Sequence, residues 1–345
     1  MAWTDWVLCK GDYPMTASRL YNMDMSLAIA IKVPEGLVLA AESRVSYDIP
    51  DGDSKRLVTF DNATKLLKFD DYLKFGAVTF GVANIGTRTA HSFIPEFIAE
   101  LKKSNVGQNI KVKTFAKKLG EFFKARWEEA MPSDFPKTEN MFFVIGGFEA
   151  SEPHAKVYQI VVPGNTEPEE LDSMKQFNSV WGGQYDIVSR MVKGYDDRII
   201  KWVDDNFTAT EEQQQNFAEL ISAIEQPIVY SALALQDAIN LAETFIRTTI
   251  DIQSLSAGVR GVGGAIDIAI ITKDNGFSYI QKKTLTGKIK IEGNSMLSNT
   301  IGTSPLSSAT PRDWRSNEPI KNPGKKTFKR LIKKASQPVP KEQEK

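Results

Sequence analysis

The sequence has very few residues of the types that form disulfides and transition-metal sites. It contains one cysteine, Cys9, and two histidines, His91 and His154, among 345 residues. A single cysteine excludes a framework of disulfides within the chain and fits a reducing compartment. The two histidines lie far apart and lack the short spacing of metal ligands, so we predict no metal site and no cofactor.

Long apolar runs are also missing. No stretch reaches the roughly 18 apolar residues that a membrane-spanning helix needs. Residues 1–24 lack the charged and then apolar order of a secretory signal. We therefore expect a cytoplasmic protein with no membrane span.

Net charge is zero over the whole chain, but the charge is unevenly distributed. Residues 312–345 carry eleven Lys and Arg against four Asp and Glu, which makes this end about +7 and the remainder about −7. Beyond residue 284 large apolar residues are too few to offset the entropy lost on ordering, so we predict a disordered basic tail over 284–345. Residues 325–334 fit either a solvated end or a short basic helix on an acidic surface, and we predict no specific nucleic acid partner.

Strands and helices follow from the spacing of apolar residues. Strands are expected over 26–33, 36–43, 65–69, 73–83, 141–147, 156–162, 265–272 and 277–282, and a polar loop over 48–54. Helices are expected over 87–103, 112–130, 184–203 and 211–257, the last with a break near Pro227. Hairpins that alternate with pairs of helices favour an α+β fold, in which helices cover antiparallel sheets.

The first predicted hairpin carries the most informative residues. Ser26 stands at its head directly after Met25, and the carboxylate of Glu42 follows sixteen positions later. If Ser26 becomes the first residue of the chain, it supplies a hydroxyl nucleophile and, in its own α-amine, a base. This is the minimal apparatus of an N-terminal-nucleophile hydrolase.

The hairpin resembles that of the proteasome β-type subunits and their bacterial relatives, as do the strand after Lys65, residues 76–84 and the run Gly263-Gly264-Ala265-Ile266-Asp267. The last run is most similar to the branch called ancestral β-subunits. The resemblance covers residues 26–283 and implies a four-layer αββα sandwich, assembled into a homo-oligomeric ring or stack with inward-facing sites. It also implies a peptidase that acts on protein or peptide substrates, and leaves open whether an ATPase or a tagging system is a partner.

The resemblance assigns roles to five residues. Ser26 matches the nucleophile, Lys65 the catalytic lysine, and Glu42 the aspartate that holds this lysine in place. An ammonium beside Ser26 would lower the pKa of its α-amine and favour the form that accepts a proton. Backbone N–H groups at Phe80 and Gly81 would bind the oxyanion.

The chain also departs from the family pattern. Glu42 is one methylene longer than aspartate, and glutamate at this point occurs in the non-catalytic α-type subunits. Phe80 stands where glycine is common, an auxiliary serine is replaced within 181–183, and two supporting polar residues are replaced by Val259 and Val262. The alternative interpretation is therefore a non-catalytic structural or assembly subunit, in which Glu42 and Lys65 form an inherited buried ion pair.

Ser26 can use its own amine only if nothing precedes it. Cleavage by the protein itself usually follows a glycine in this family, whereas residue 25 is methionine. Methionine before a small serine is what initiator-removing aminopeptidases accept. We therefore expect residues 1–25 to be a leader or an extension upstream of the true start, and residues 26–283 to form the hydrolase domain.

Overall fold

A computed structural model of the chain describes residues 26–51, 54–171, 175–207 and 209–285. The expected leader, residues 1–25, and the expected tail from residue 286 onward lie outside these ranges. The described residues form an α+β fold with antiparallel strand pairs and six α-helices. None of the helices in these ranges is both long enough and apolar enough to cross a membrane.

The first sheet contains the predicted hairpin. Its strands are β1 (Leu27–Val33), β2 (Gly36–Glu42), β12 (Asn178–Gly183), β13 (Ile266–Thr272) and β14 (Gly276–Gln281). They lie in the order β12-β1-β2-β13-β14. Every residue of β1 and β2 is buried, because these strands lie inside the sheet and both of its faces are covered.

The second sheet supplies the opposite side of the site. Its strands are β5 (Leu66–Lys68), β6 (Phe75–Gly81), β9 (Met141–Gly147), β10 (Lys156–Val162) and β11 (Glu169–Glu170), in the order β11-β10-β9-β6-β5. The predicted strands at 65–69, 73–83, 141–147 and 156–162 agree with four of these. In the β6–β9 pair, Phe80 lies opposite Phe142.

The helices occupy the predicted positions with one additional break. They are α1 (Ala90–Lys103), α2 (Val112–Ala130), α3 (Asp186–Lys193), α4 (Arg198–Asn206), α5 (Glu211–Ile224) and α6 (Leu235–Leu255). The helix expected over 184–203 is divided because Gly194 ends α3 in the left-handed conformation, with φ of 80°. The helix expected over 211–257 is interrupted between 224 and 235, around Pro227 as predicted.

Three groups of buried apolar side chains hold the elements together. The first joins the second sheet to α1 and α2 and includes Phe69, Phe97, Phe115, Phe123 and Phe143. The second joins the two sheets, with Leu39 from one and Val78 and Val144 from the other. The third joins the first sheet to α3 and α6 and includes Ile29, Val188 and Phe245.

The prediction of a polar loop over 48–54 is wrong. Strands β3 (Val45–Asp51) and β4 (Ser54–Phe60) form a separate hairpin in which Tyr47 lies opposite Val58. Aromatic and β-branched residues paired across the strands outweigh the polar composition of the tip. Strands β11 and β12 and two short paired strands, β7 (Asn84–Ile85) and β8 (Arg88–Thr89), were not predicted from the sequence.

Candidate active site

Ser26 lies immediately before β1 and is buried, with 5% of its surface exposed. The end of β12 fixes its backbone, because the N–H of Gln184 donates to the Ser26 carbonyl oxygen at 2.6 Å. Gly183 adopts a φ of 91°, and any side chain there would overlap this carbonyl. A strand that the sequence analysis missed therefore positions the predicted nucleophile.

Glu42, the last residue of β2, is 1% exposed and accepts four hydrogen bonds. The N–H of Leu27 donates to Oε1 at 3.2 Å, and those of Arg44 and Gly263 donate to Oε2 at 2.6 and 3.2 Å. The fourth donor is the Lys65 ammonium, on Oε1. Burial raises the pKa of Glu42, and Lys65 together with the backbone donors opposes that rise. The carboxylate thereby joins β1 and β2 to the loop before β13.

Lys65 directly precedes β5 and reaches Ser26 and Glu42 at once. Its Nζ lies 2.8 Å from Ser26 Oγ and forms the buried ion pair with Glu42. Burial lowers the pKa of Lys65, and the Glu42 carboxylate opposes that change. The structure therefore brings together the three side chains singled out in the sequence, in the order hydroxyl, amine, carboxylate. An uncharged amine at this position can accept a proton from the Ser26 hydroxyl.

A second ion pair braces the backbone around Glu42. The Arg44 guanidinium binds Asp61 through two bonds, Nε to Oδ1 at 2.6 Å and Nη2 to Oδ2 at 2.8 Å, which lowers the pKa of Asp61. Its third nitrogen, Nη1, donates to the Arg260 carbonyl at 3.0 Å. Gly263 packs so closely on the guanidinium that a side chain there would overlap it. The sequence analysis assigned no role to Arg44 or Asp61.

A pocket opens beside these residues. Its walls comprise Ser26, Val45, Ser46, Tyr47, Ala63, Thr64, Lys65, Thr79, Phe80, Gly81, Val82, Ala83, Thr89 and Ala90. Phe80 and Gly81, the predicted oxyanion donors, therefore lie at the same pocket as Ser26. Among the described residues that line the pocket, Lys65 is the one with a charged side chain.

The described residues contain no cluster of three or more His, Cys, Asp or Glu side chains arranged to hold a metal ion. The ring of His154 packs edge-on against Phe177, with the ring centres 4.9 Å apart. His91 is exposed at the start of α1, and partial desolvation together with nearby lysines lowers its pKa.

Comparison with known proteins gives a distant structural likeness. No family model matches the sequence, and no curated protein matches it. The fold is similar to that of an Anbu (Gly-1) mutant from Hyphomicrobium sp. strain MC1, with 15% sequence identity and a TM-score of 0.42. The match covers 75% of this chain and 86% of that one. A likeness at this level assigns neither an activity nor a role to the chain.

Proposed function

We propose that the chain is a proteasome-like peptidase of the N-terminal-nucleophile type, with Ser26 as nucleophile and Lys65 and Glu42 as its partners. The proposal includes a four-layer αββα sandwich and a cytoplasmic homo-oligomeric ring or stack. The observation that supports the activity best is the 2.8 Å contact between Lys65 Nζ and Ser26 Oγ beside a pocket. A nucleophile and a base within hydrogen-bond distance are the core of acyl-transfer chemistry.

In the proposed reaction, Ser26 Oγ attacks the carbonyl carbon of a peptide bond while its proton passes to uncharged Lys65. The backbone N–H of Phe80 faces Phe142 in the β6–β9 ladder, so the N–H of Gly81, at the end of β6, is the group that stabilises the negative oxygen. The C–N bond then breaks, and the departing amine takes the proton from Lys65. Water then adds to the ester carbon while Lys65 accepts one of its protons. The C–O bond to Ser26 breaks, Lys65 passes that proton to Ser26 Oγ, and the acid product leaves.

This assignment of the base differs from the one that the sequence suggested. The sequence analysis gave that role to the α-amine of Ser26, with Lys65 as a neighbouring cation. Lys65 contacts the hydroxyl directly, and burial lowers the pKa of Lys65, which favours the uncharged form that can accept a proton. The free α-amine of a chain that begins at Ser26 would stand beside the same hydroxyl and could relay the proton to the leaving group.

The proposal is tested by covalent labelling with a β-lactone probe, followed by mass spectrometry. The chain that begins at Ser26 should be acylated on Ser26, and Ser26→Ala should not be labelled. Ser46→Ala is the matched control, since Ser46 lines the same pocket but lies outside the proposed machinery. Labelling that persists in Ser26→Ala, or its absence from the wild-type protein, would contradict the peptidase.

Assembly is tested separately, by light scattering on the chromatographically purified protein. A mass of several subunits is expected for a ring or stack. A monomer at micromolar concentration would contradict the proposed assembly without bearing on the labelling of Ser26.

The second candidate is a non-catalytic structural or assembly subunit. It is favoured by the environment of Glu42, whose oxygens accept three backbone N–H groups and therefore have a structural role independent of any reaction. An epoxyketone probe separates the two candidates, because it requires a hydroxyl and a free amine on one residue. A chain that begins at Ser26 and still fails to react would support the structural subunit.

A further inference from the structure

A second buried ion pair lies at the end of the first sheet. Asp267 of β13 and Lys283, which follows β14, have side chains that are 4% and 8% exposed. The Lys283 N–H donates to Asp267 Oδ1 at 2.8 Å, and its ammonium binds Oδ2 of the same carboxylate. The sequence suggested no role for Lys283. Asp267 was noted only as the last residue of the run Gly263-Gly264-Ala265-Ile266-Asp267.

The strand register places this pair next to the candidate active site. In the β2–β13 pair, Ile266 lies opposite Glu42, and Asp267 lies opposite Ala41. Strand β14 is also tied to the residue after Lys65, because the Tyr279 hydroxyl donates to the Leu66 carbonyl at 3.3 Å. The β13–β14 hairpin therefore places the Asp267–Lys283 pair beside the segment that contains Glu42 and the strand that follows Lys65.

Three charged groups act on Lys65. Glu42 favours the ammonium form, whereas Lys283 and Arg44 oppose it in addition to burial. Asp61 neutralises Arg44 through two hydrogen bonds. Asp267 accepts both the backbone N–H and the ammonium of Lys283, so it fixes the position of this ammonium and offsets part of its effect on Lys65. Because these groups are poorly hydrated, their interactions are stronger than those of surface charges.

We propose that Asp267 and Lys283 are positioning residues for Lys65: Asp267 holds a second ammonium beside Lys65, and the repulsion favours the uncharged amine that receives the proton of Ser26. The use of that amine as a base rests on the proposed function. The effect of Lys283 on the protonation of Lys65 does not depend on that function. The two statements can therefore be tested apart.

The test is a titration of Lys65 in the full chain by acetic anhydride. The rate at which Lys65 is acetylated is measured by mass spectrometry across a range of pH, because only the uncharged amine reacts. Lys283→Met should move the Lys65 titration to higher pH by about one unit. Lys283→Arg keeps the charge and should restore the wild-type titration.

Lys282→Met is the matched control. Lys282 lies over the Tyr279 ring, 4.7 Å from its centre, so this change removes a neighbouring charge outside the ion pair. Its Lys65 titration should equal that of wild type. Lys283→Met leaves the buried Asp267 carboxylate unpaired, which destabilises the fold. The double variant Asp267→Asn/Lys283→Met removes both charges. Its Lys65 titration should move to higher pH by a smaller amount than that of Lys283→Met.

A Lys65 titration that coincides with wild type in both Lys283→Met and the double variant would overturn the proposal. In addition, the pH dependence of β-lactone labelling should move with the Lys65 titration. If the titration moves but wild-type protein is not labelled, the effect of Lys283 is established and the proposed peptidase fails. If labelling occurs and neither profile moves, the peptidase stands and Lys283 has only a structural role.

Discussion

The phenyl ring of Phe80 occupies the space that a side chain at position 182 would need. A Cβ built on Gly182 would overlap the ring, which is held in place by stacking on Phe142 with ring centres 4.9 Å apart. Phe80 lies in β6 of the second sheet, whereas Gly182 lies in β12 of the first sheet. Phe80 and residues 181–183 were singled out in the sequence, and the structure brings Phe80 and Gly182 into one contact between the two sheets.

This contact predicts non-additive effects on stability. Gly182→Ala should destabilise the protein by about 1–3 kcal/mol, because the added methyl group cannot be accommodated beside the ring. Phe80→Ala should cost about 3–5 kcal/mol through the cavity that it creates. The double variant should cost at least about 1 kcal/mol less than the sum, as measured by urea unfolding. Strictly additive costs would contradict the contact.

Gly183 leads to a second prediction, because it holds the backbone of Ser26. Gly183→Ala should destabilise the fold by about 1–3 kcal/mol through backbone strain alone, and the overlap with the Ser26 carbonyl adds to this. Gly107→Ala is the matched control, since nothing lies within 4 Å of a Cβ built there. Its free energy of unfolding should remain within about 0.5 kcal/mol of wild type. Equal effects of the two changes would show that β12 does not constrain Ser26.

The Glu42–Lys65 ion pair can be separated from the proposed chemistry by paired substitutions. Lys65→Met leaves the Glu42 carboxylate buried without its ammonium and should cost about 3–5 kcal/mol in unfolding free energy. Glu42→Gln/Lys65→Met removes both charges and should regain most of that stability. Neither variant should be labelled by the β-lactone, because both lack the base. A stable double variant that is still labelled would show that Lys65 is not the proton acceptor.

The sequence was informative where structure depends on neighbours along the chain. The β1–β2 hairpin and helices α1 and α2 each contain a regular apolar pattern, and their predicted bounds differ from the observed ones by at most three residues. Strand β12 was missed because Asn178–Gly183 is short and ends in two glycines, a composition that disfavours strands. It forms through pairing with β1, a partner that is about 150 residues away in the sequence.

The candidate site, like the fold, was predicted only in part from the sequence. The resemblance to the proteasome β-type subunits pointed to Ser26, Glu42 and Lys65, and the structure places them in contact. The Arg44–Asp61 and Asp267–Lys283 pairs have no periodicity or motif that links their members. Arg44 and Asp61 come together at the end of the β3–β4 hairpin, next to the Val45–Phe60 pair, and Asp267 and Lys283 come together at the end of the β13–β14 hairpin. Local sequence pattern does not specify these registers.

The last prediction concerns alkaline pH. Burial, together with Asp267 and Asp70, raises the pKa of Tyr279 to about 12, from an ordinary value of 10.0. The folded protein therefore keeps the phenol proton in a range where the unfolded chain has lost it. Its contribution is fully present below pH 10 and is lost as the pH rises towards 12.

Tyr279→Phe should reveal this contribution. At about pH 8 the variant should be less stable by about 0.5–1.5 kcal/mol, because it lacks the hydrogen bond to the Leu66 carbonyl. Above pH 10 wild type should lose up to about 1 kcal/mol more per pH unit than the variant, so the difference in unfolding free energy between the two narrows. Tyr158 and Tyr195, whose pKa values burial also raises to about 12, are present in both proteins, so their effects cancel. A difference that stays constant between pH 8 and 11 would show that Tyr279 is solvated and that β14 is not tied to Leu66.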